Sequence, residues 1–357
     1  MQPISIADRA NNRRFFSRHL RIVMKACFLA MLIAVALPAC TGGGHSATGK
    51  LYVTVTNATG SSILRFNNAF TATGNVAPAG SLSGSATTLN NPGEIFLDTS
   101  NNRLYVANRG AASVVIYDSA STANGNIAPT RTVAGGSTAL VAPQAVSVDT
   151  TKDLLYVVDS GNLLVFSGAS TANGNVAPTT TAPLGFVATA IFDDATNDRL
   201  YIADAGGNSV GIYDNASAIP SGSVSASRTI SGASTLLASP FGLLLDLTGR
   251  LIVSNSSGSG ITIYSNAATA SGNAIPAAAI AGAATTFVVP RQIALNSSGS
   301  GTLYVGDAVA GEVASFGSLS SANGNIAPTR NISGSNTGLS ANSGALSVQG
   351  LALDTTR

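Results

Sequence analysis

The chain has 357 residues, of which 45% are hydrophobic and 10% charged, with 38 Gly, 12 Phe, 8 Tyr and no Trp. Average soluble domains carry roughly 25% charged residues, so a charged disordered tail and a long coiled coil are both excluded. Of the 18 Lys and Arg, Arg9, Arg13, Arg14, Arg18, Arg21 and Lys25 precede residue 40 against the single acid Asp8. The remaining 12 basic and 15 acidic groups are scattered and sum to −3, which is not the basic footprint of a nucleic-acid binder.

Residues 24–40 read MKACFLAMLIAVALPAC. Lys25 supplies a positive start, Ala26 to Leu37 an apolar run, and small residues then precede a cysteine. The run falls short of the roughly 20 residues that span a bilayer, and reads as an export signal. Leu37-Pro38-Ala39-Cys40 resembles the bacterial lipobox. The resemblance implies a lipoprotein signal peptide over residues 1–39, with Met24 as a second candidate start, and lipidation of Cys40. The alternative is plain secretion with Cys40 as a spare thiol. Residues 40–49 then hold the lipidated cysteine and a flexible tether. Thr41 stands where an Asp would resemble an inner-membrane retention signal, pointing to the outer membrane or periplasmic face of a two-membrane bacterium. Cys27 and Cys40 are the two cysteines, so no disulfide or thiol nucleophile is expected in the mature domain.

Beyond the tether the chain repeats itself, and a fixed period decides architecture before any local reading does. Leu51-Tyr52-Val53 recurs at Leu104, Leu155, Leu200 (LYI), Leu251 (LIV) and Leu303, with spacings of 53, 51, 45, 51 and 52 residues. A Gly-Asn-x-Ala-Pro type turn marches with it at Gly74, Gly125, Gly174, Gly222 (GSVSA), Gly272 (GNAIP) and Gly324. Each unit holds four short segments separated by Gly, Asn, Ser and Asp turns. Around Leu155 they are Ala145–Asp149, Leu155–Val158, Leu163–Phe166 and Val176–Thr181. Four strands in about 50 residues is the size of a propeller blade. The fourth segment carries Pro78, Pro129, Pro178, Pro276 and Pro328 in five units, which suits an exposed edge strand. The first unit lacks the x-x-Leu-Asp strand that precedes its successors, and Gly350-Leu351-Ala352-Leu353-Asp354 supplies it at the other end. The prediction over residues 50–357 is an all-β, six-bladed β-propeller of four antiparallel strands per blade, closed by the C-terminal strand joining the N-terminal blade.

LYVTVTN at Leu51, LYVANRG at Leu104 and LYVVDSGN at Leu155 resemble the NHL and YVTN class of bacterial β-propellers, and the resemblance runs from Lys50 to Asp354. It implies the fold; propellers serve hydrolases, lyases and binding proteins alike.

Asp98, Asp149, Asp193, Asp246, Asn296 and Asp354 end the inner strands, and read as Asx turns rather than a ring of metal ligands. Asp194 reads as a solvated neighbour in its turn. Asn57, Asn108, Asp159, Asp204, Asn255 and Asp307 follow the LYV strand and have the same structural reading. A site must break the ring's symmetry. The residues four and five positions before each repeated Asp rim the channel mouth and vary most: Gly93-Glu94, Gln144-Ala145, Ala188-Thr189, Phe241-Gly242, Arg291-Gln292 and Gln349-Gly350. Loops on the same face add Arg109 and Glu312. Glu94, Arg109, Gln144, Arg291, Gln292 and Gln349 therefore form a candidate ligand-binding mouth; the alternative is that Glu94 and Arg291 only pair with neighbours or reach to water.

His19 and His45 lie in leader and tether, which excludes a Ser-His-Asp relay, a histidine base and an imidazole-held zinc. No catalytic residue and no required cofactor is assigned. The leading expectation is a lipid-anchored, monomeric, non-enzymatic binding or scaffold module of the cell envelope, facing a protein, peptide or glycan through its channel. The alternative is a Ca²⁺-dependent hydrolase of lactones or related esters, its ion held by Glu94 with Asp159, Asp204 or Asp307.

Overall fold

A computed structural model describes residues 48–57, 60–299, 301–339 and 347–357. The expected signal peptide, Cys40 and most of the tether lie outside the described residues. Six four-stranded antiparallel sheets follow one another along the chain, and their inner strands touch in sequence round a ring. The predicted six-bladed propeller is the fold. Among the described residues the helical elements are single 3₁₀ turns, and no helix is long and apolar enough to cross a membrane.

The inner strands are Pro92–Asp98, Pro143–Asp149, Ala188–Asp194, Pro240–Leu245, Pro290–Asn296 and Val348–Asp354. The last belongs to blade one. It pairs with Lys50–Asn57, Leu351 opposite Val53 and Asp354 opposite Lys50, so the two ends of the propeller meet in one sheet. The LYV strands follow each inner strand and are buried on both faces: Leu51, Leu104, Leu155, Leu200, Leu251 and Leu303 each lose at least 99% of their accessible surface. Apolar clusters fill the spaces between successive blades, as where Val146, Val157 and Phe166 pack on Tyr105 and Ile116. A strand clamped between two sheets cannot alternate in polarity, which explains its continuous apolar run.

The fourth strand differs from expectation. Around Leu155 it is Thr180–Pro183, not Val176–Thr181, and Pro78, Pro129, Pro178, Pro276 and Pro328 stand two residues before it in loops. The reason is a bond network. In blade two Asn124-Gly125-Asn126 lies along the outer strand of blade one: Ser81 N donates to Asn124 Oδ1, Gly125 N to Ser81 O and Ser83 N to Gly125 O. Asn126 Oδ1 then accepts from Ala86 N in the 3₁₀ turn beyond that strand. The same bridge joins Gly74, Gly174, Gly272 and Gly324 to the preceding blade. Outer strands therefore spend N–H groups on both sides, which disfavours proline within them; Pro183 ends the outer strand of blade three, the blade whose rim lacks this glycine bridge. Gly125 sits at φ 81°, a conformation glycine adopts at no steric cost.

The closing seam is tight. A Cβ on Gly350 would lie 2.5 Å from Gly93 O and 2.6 Å from Thr54 Oγ1. Gly350→Ala should therefore cost about 1–3 kcal/mol and lower the thermal midpoint by several degrees; an unchanged melt would show that the seam has slack.

Candidate functional site

The inner strands start, and the LYV hairpins turn, at one face of the ring, which is the channel mouth. Asn108 Oδ1 accepts from Asn90 N, Asn255 Oδ1 from Ala238 N, and Asp159 takes Val141 N and Ala142 N. Each carboxylate or amide thus holds the loop that feeds the inner strand of its own blade. Asp307 is the most engaged, accepting from the backbone N–H groups of Val288, Val289, Val309 and Ala310. Asp204 takes Gly207 N, and Glu312 accepts from the Thr286 hydroxyl and the Asn331 amide. Glu94, Asp159, Asp204 and Asp307, the possible Ca²⁺ ligands, are not gathered: among the described residues no three or more His, Cys, Asp or Glu are placed to hold an ion.

Four of the six mouth candidates, Glu94, Arg291, Gln292 and Gln349, have partners that place them; Arg109 is exposed on its loop. Arg291 enters from blade six, donates from Nη1 to Gln349 Oε1 of blade one and lies over the Phe241 ring of blade five, 4.4 Å from its centroid. Burial, with the nearby Arg109 charge adding to it and the Asp307 charge opposing, draws the Arg291 guanidinium down to about 10. Glu94 crosses the channel from blade two. Its Oε2 accepts from Ile191 N of blade four at 3.4 Å, and Gln292 of blade six lies beside it. Enclosure away from water raises the Glu94 carboxyl well above the usual carboxylate range; the Ile191 N–H and Gln292 work against the rise. Gln144 stands apart: its carbonyl backs onto Gly93, and its side chain joins none of these contacts.

Below this layer the channel widens into a cavity of about 180 Å³ lined by all six inner strands, mostly by aliphatic side chains such as Val146, Leu243, Ile293 and Leu351. Pockets for small molecules measure roughly 300–1,000 Å³, so this space suits waters or a very small guest.

One lining residue was misread in the sequence. Asp194 pairs with Arg199 as Asp98 pairs with Arg103, and it is Asp194 that takes Asn197 N and its amide. Asp194 is the repeated Asx residue and Asp193 is not. The mouth pair of blade four accordingly shifts by one, from Ala188-Thr189 to Thr189-Ala190. Asp193 occupies the position of Leu97, Val148, Leu245, Leu295 and Leu353, and both its carboxylate oxygens are buried without a hydrogen bond. Burial, then the neighbouring Asp149 charge, lifts its pKa to about 7, with Lys152 opposing. The doublet FDD could have been aligned either way; only strand pairing decides it.

A second departure from symmetry lies between blades three and four, where the sequence spacing falls to 45 residues. The linker through Leu184 and Phe186 has no 3₁₀ turn, and a cleft of about 350 Å³ opens beside Gly211, Tyr213 and Val224.

No protein-family model matches the chain, and no curated protein does. Solved structures do. A functionally unknown protein from Desulfotomaculum acetoxidans DSM 771 aligns with a TM-score of 0.52 at 15% identity, covering 79% of each chain. A chain of a nidogen/laminin complex aligns with a TM-score of 0.54 at 14% identity, covering 85% of this chain and 97% of that one. At such identities the likeness is one of fold alone.

Asp193 makes stability depend on pH. An unfolded Asp ionises near 3.9, the native one near 7. Between about pH 4 and 7 the unfolded chain therefore gives up a proton that the native chain keeps, and stability drains as pH rises; above 7 the loss stays constant. Asp193→Leu, which restores the residue type of other blades, should raise the thermal midpoint more at pH 8 than at pH 4. Equal gains at both values would refute a buried, titrating carboxyl.

Proposed function

We propose that this chain is an exported lipoprotein of the NHL/YVTN repeat type, held at the cell envelope through Cys40, whose propeller is a non-enzymatic binding module. In this reading the channel face meets a protein, peptide or glycan partner, and the closed ring works as a monomer.

The observation that carries the reading is where apolar surface is left uncovered. Among the described residues five of the eight exposed large hydrophobic side chains are Val141, Val187, Leu236, Val288 and Val309; the others, Ile127, Leu247 and Ile275, are scattered elsewhere. These five stand on loops at the channel mouth, spread over blades three to six. Apolar groups concentrated on one face, around a polar centre, are the composition of a recognition surface. The supporting chemistry points the same way: residues 48–357 contain neither His nor Cys, and the acids of this face are occupied by backbone N–H groups. One chain of similar fold comes from a nidogen/laminin complex, which favours partner binding as a use of the fold.

A photo-crosslinking residue placed at Val288 or Val309 in intact cells should capture a partner, while one at Leu247, exposed on the opposite face, should not. Equal capture at all three, or none, would mean that the mouth is not the binding surface. For the anchor, Cys40→Ser should abolish incorporation of an alkyne-labelled fatty acid and move the chain from the membrane to the soluble fraction; unchanged partition would remove the lipid from the account.

A further inference from the structure

We propose that the mouth recognises an acidic peptide segment, one of whose carboxylates seats between Arg291 and Arg109. This rests on the reading of the channel face as a binding surface and names what it reads.

Most described arginines have a carboxylate partner. Arg103 and Arg131 flank Asp118, and Arg199 and Arg228 flank Asp214. Arg291 and Arg109 form no ion pair among the described residues, although Arg291 lies in the mouth and Arg109 stands exposed on a loop of the same face. Arg291 is the less ordinary of the two. It is half-buried, its Nε is shielded from water without a hydrogen bond, and it is fixed in plane by Phe241 beneath and Gln349 at its side. Among the described residues no carboxylate is bonded to it, the Asp307 charge acting only through space, and desolvating a guanidinium without a bonded carboxylate is costly. A planar cation already stripped of water and held rigid is also pre-organised for a bidentate carboxylate, since its ordering has been completed before the ligand arrives. Arg109 is exposed and close enough for the two charges to repel, a repulsion that an incoming anion relieves.

The charge pattern of the face agrees. Residues 40–357 sum to −3, yet Asp159, Asp307 and Glu312 are buried and turned inward onto backbone and side-chain donors. Positive charge is what the centre of the mouth turns outward, so an acidic partner is both attracted and oriented. A peptide fits better than an acidic glycan. Val288 and Val309 on the blade of Arg291 offer aliphatic contacts, whereas Phe241, the ring a sugar would stack on, is covered by the guanidinium.

The test is fluorescence anisotropy of the purified full chain with labelled hexaglutamate, hexalysine and polygalacturonate. Hexaglutamate should bind saturably, lose affinity as NaCl rises from about 0.05 to about 0.5 M, and bind about tenfold or more weakly to Arg291→Gln and to Arg109→Gln. Arg109 is exposed, so its variant keeps the test meaningful even if Arg291→Gln perturbs packing. Absence of hexaglutamate binding, equal binding by both variants, or preference for polygalacturonate would each overturn the proposal. Crosslinking at Val288 and Val309 separates the two levels: capture retained without hexaglutamate binding leaves the face a binding surface that does not read acidity, and loss of both removes the underlying reading as well.

Discussion

A β-sheet ends in a row of unpaired N–H and C=O groups, and a ring of six sheets has six such rows at its rim. Everything else about this chain depends on how those edges are filled. The filler is the repeated Gly-Asn turn, preceded by Asn, Thr or Ser, which lies along the outer strand of the preceding blade. The preceding side chain and the glycine backbone act as a short extra strand, as Asn124 and Gly125 do for Ser81 and Ser83. The asparagine after the glycine satisfies the first free N–H of the following 3₁₀ turn, as Asn175 does for Ser137. The inner edges face the channel, and the one sheet that would have lacked its inner strand receives Val348–Asp354 from the end of the chain. Edge satisfaction and ring closure are thus a single solution: each blade completes the one before it, and blade one in turn completes blade six through Asn75.

That arrangement explains which features were legible in the amino-acid sequence. The LYV strands were, because double-sided burial writes itself as an unbroken apolar run at fixed spacing. The closure was, because a missing strand at one end and a spare one at the other have a single simple resolution. The outer strands were misplaced, because a segment with Asn, Gly and Pro has the composition of a polar edge strand. Its real work is done across a seam between blades, and long-range hydrogen bonds leave no local periodicity. The repeated prolines before the outer strands follow from the same fact, since a strand bonded on both sides has little room for a residue without an N–H; Pro183 enters one only where the bridge from the next blade is missing.

At the mouth, Glu94, Arg291, Gln292 and Gln349 were recognisable as the places where the repeat stops repeating. Their mutual arrangement was not, because Glu94 reaches past blade three to Ile191 and Arg291 bridges blades five and one. Asp193 escaped for a different reason. Its chemistry was visible, but adjacent acids concealed which of them belonged to the repeat. The environment that makes Asp193 unusual, an apolar wall supplied by other blades, exists only once the ring has formed.

The junction of blades three and four shows how strictly the device is coupled. Its linker lacks the 3₁₀ turn that the asparagine after the glycine would cap, and the turn that meets it reads Gly222-Ser223 instead of Gly-Asn; the shortened spacing and the altered motif fall at the same seam. The rim bonds there include the Gly222 N to Thr181 O bond, the Thr180 hydroxyl to Ile219 O, and a longer contact from Thr181 N to the Ser221 hydroxyl. A ring of equal seams has no preferred place to break under load, but this one has unequal seams. Pulled or heated, the propeller should part between blades three and four, far from its own two ends, yielding two three-blade arms still joined through the strand pairing of blade one.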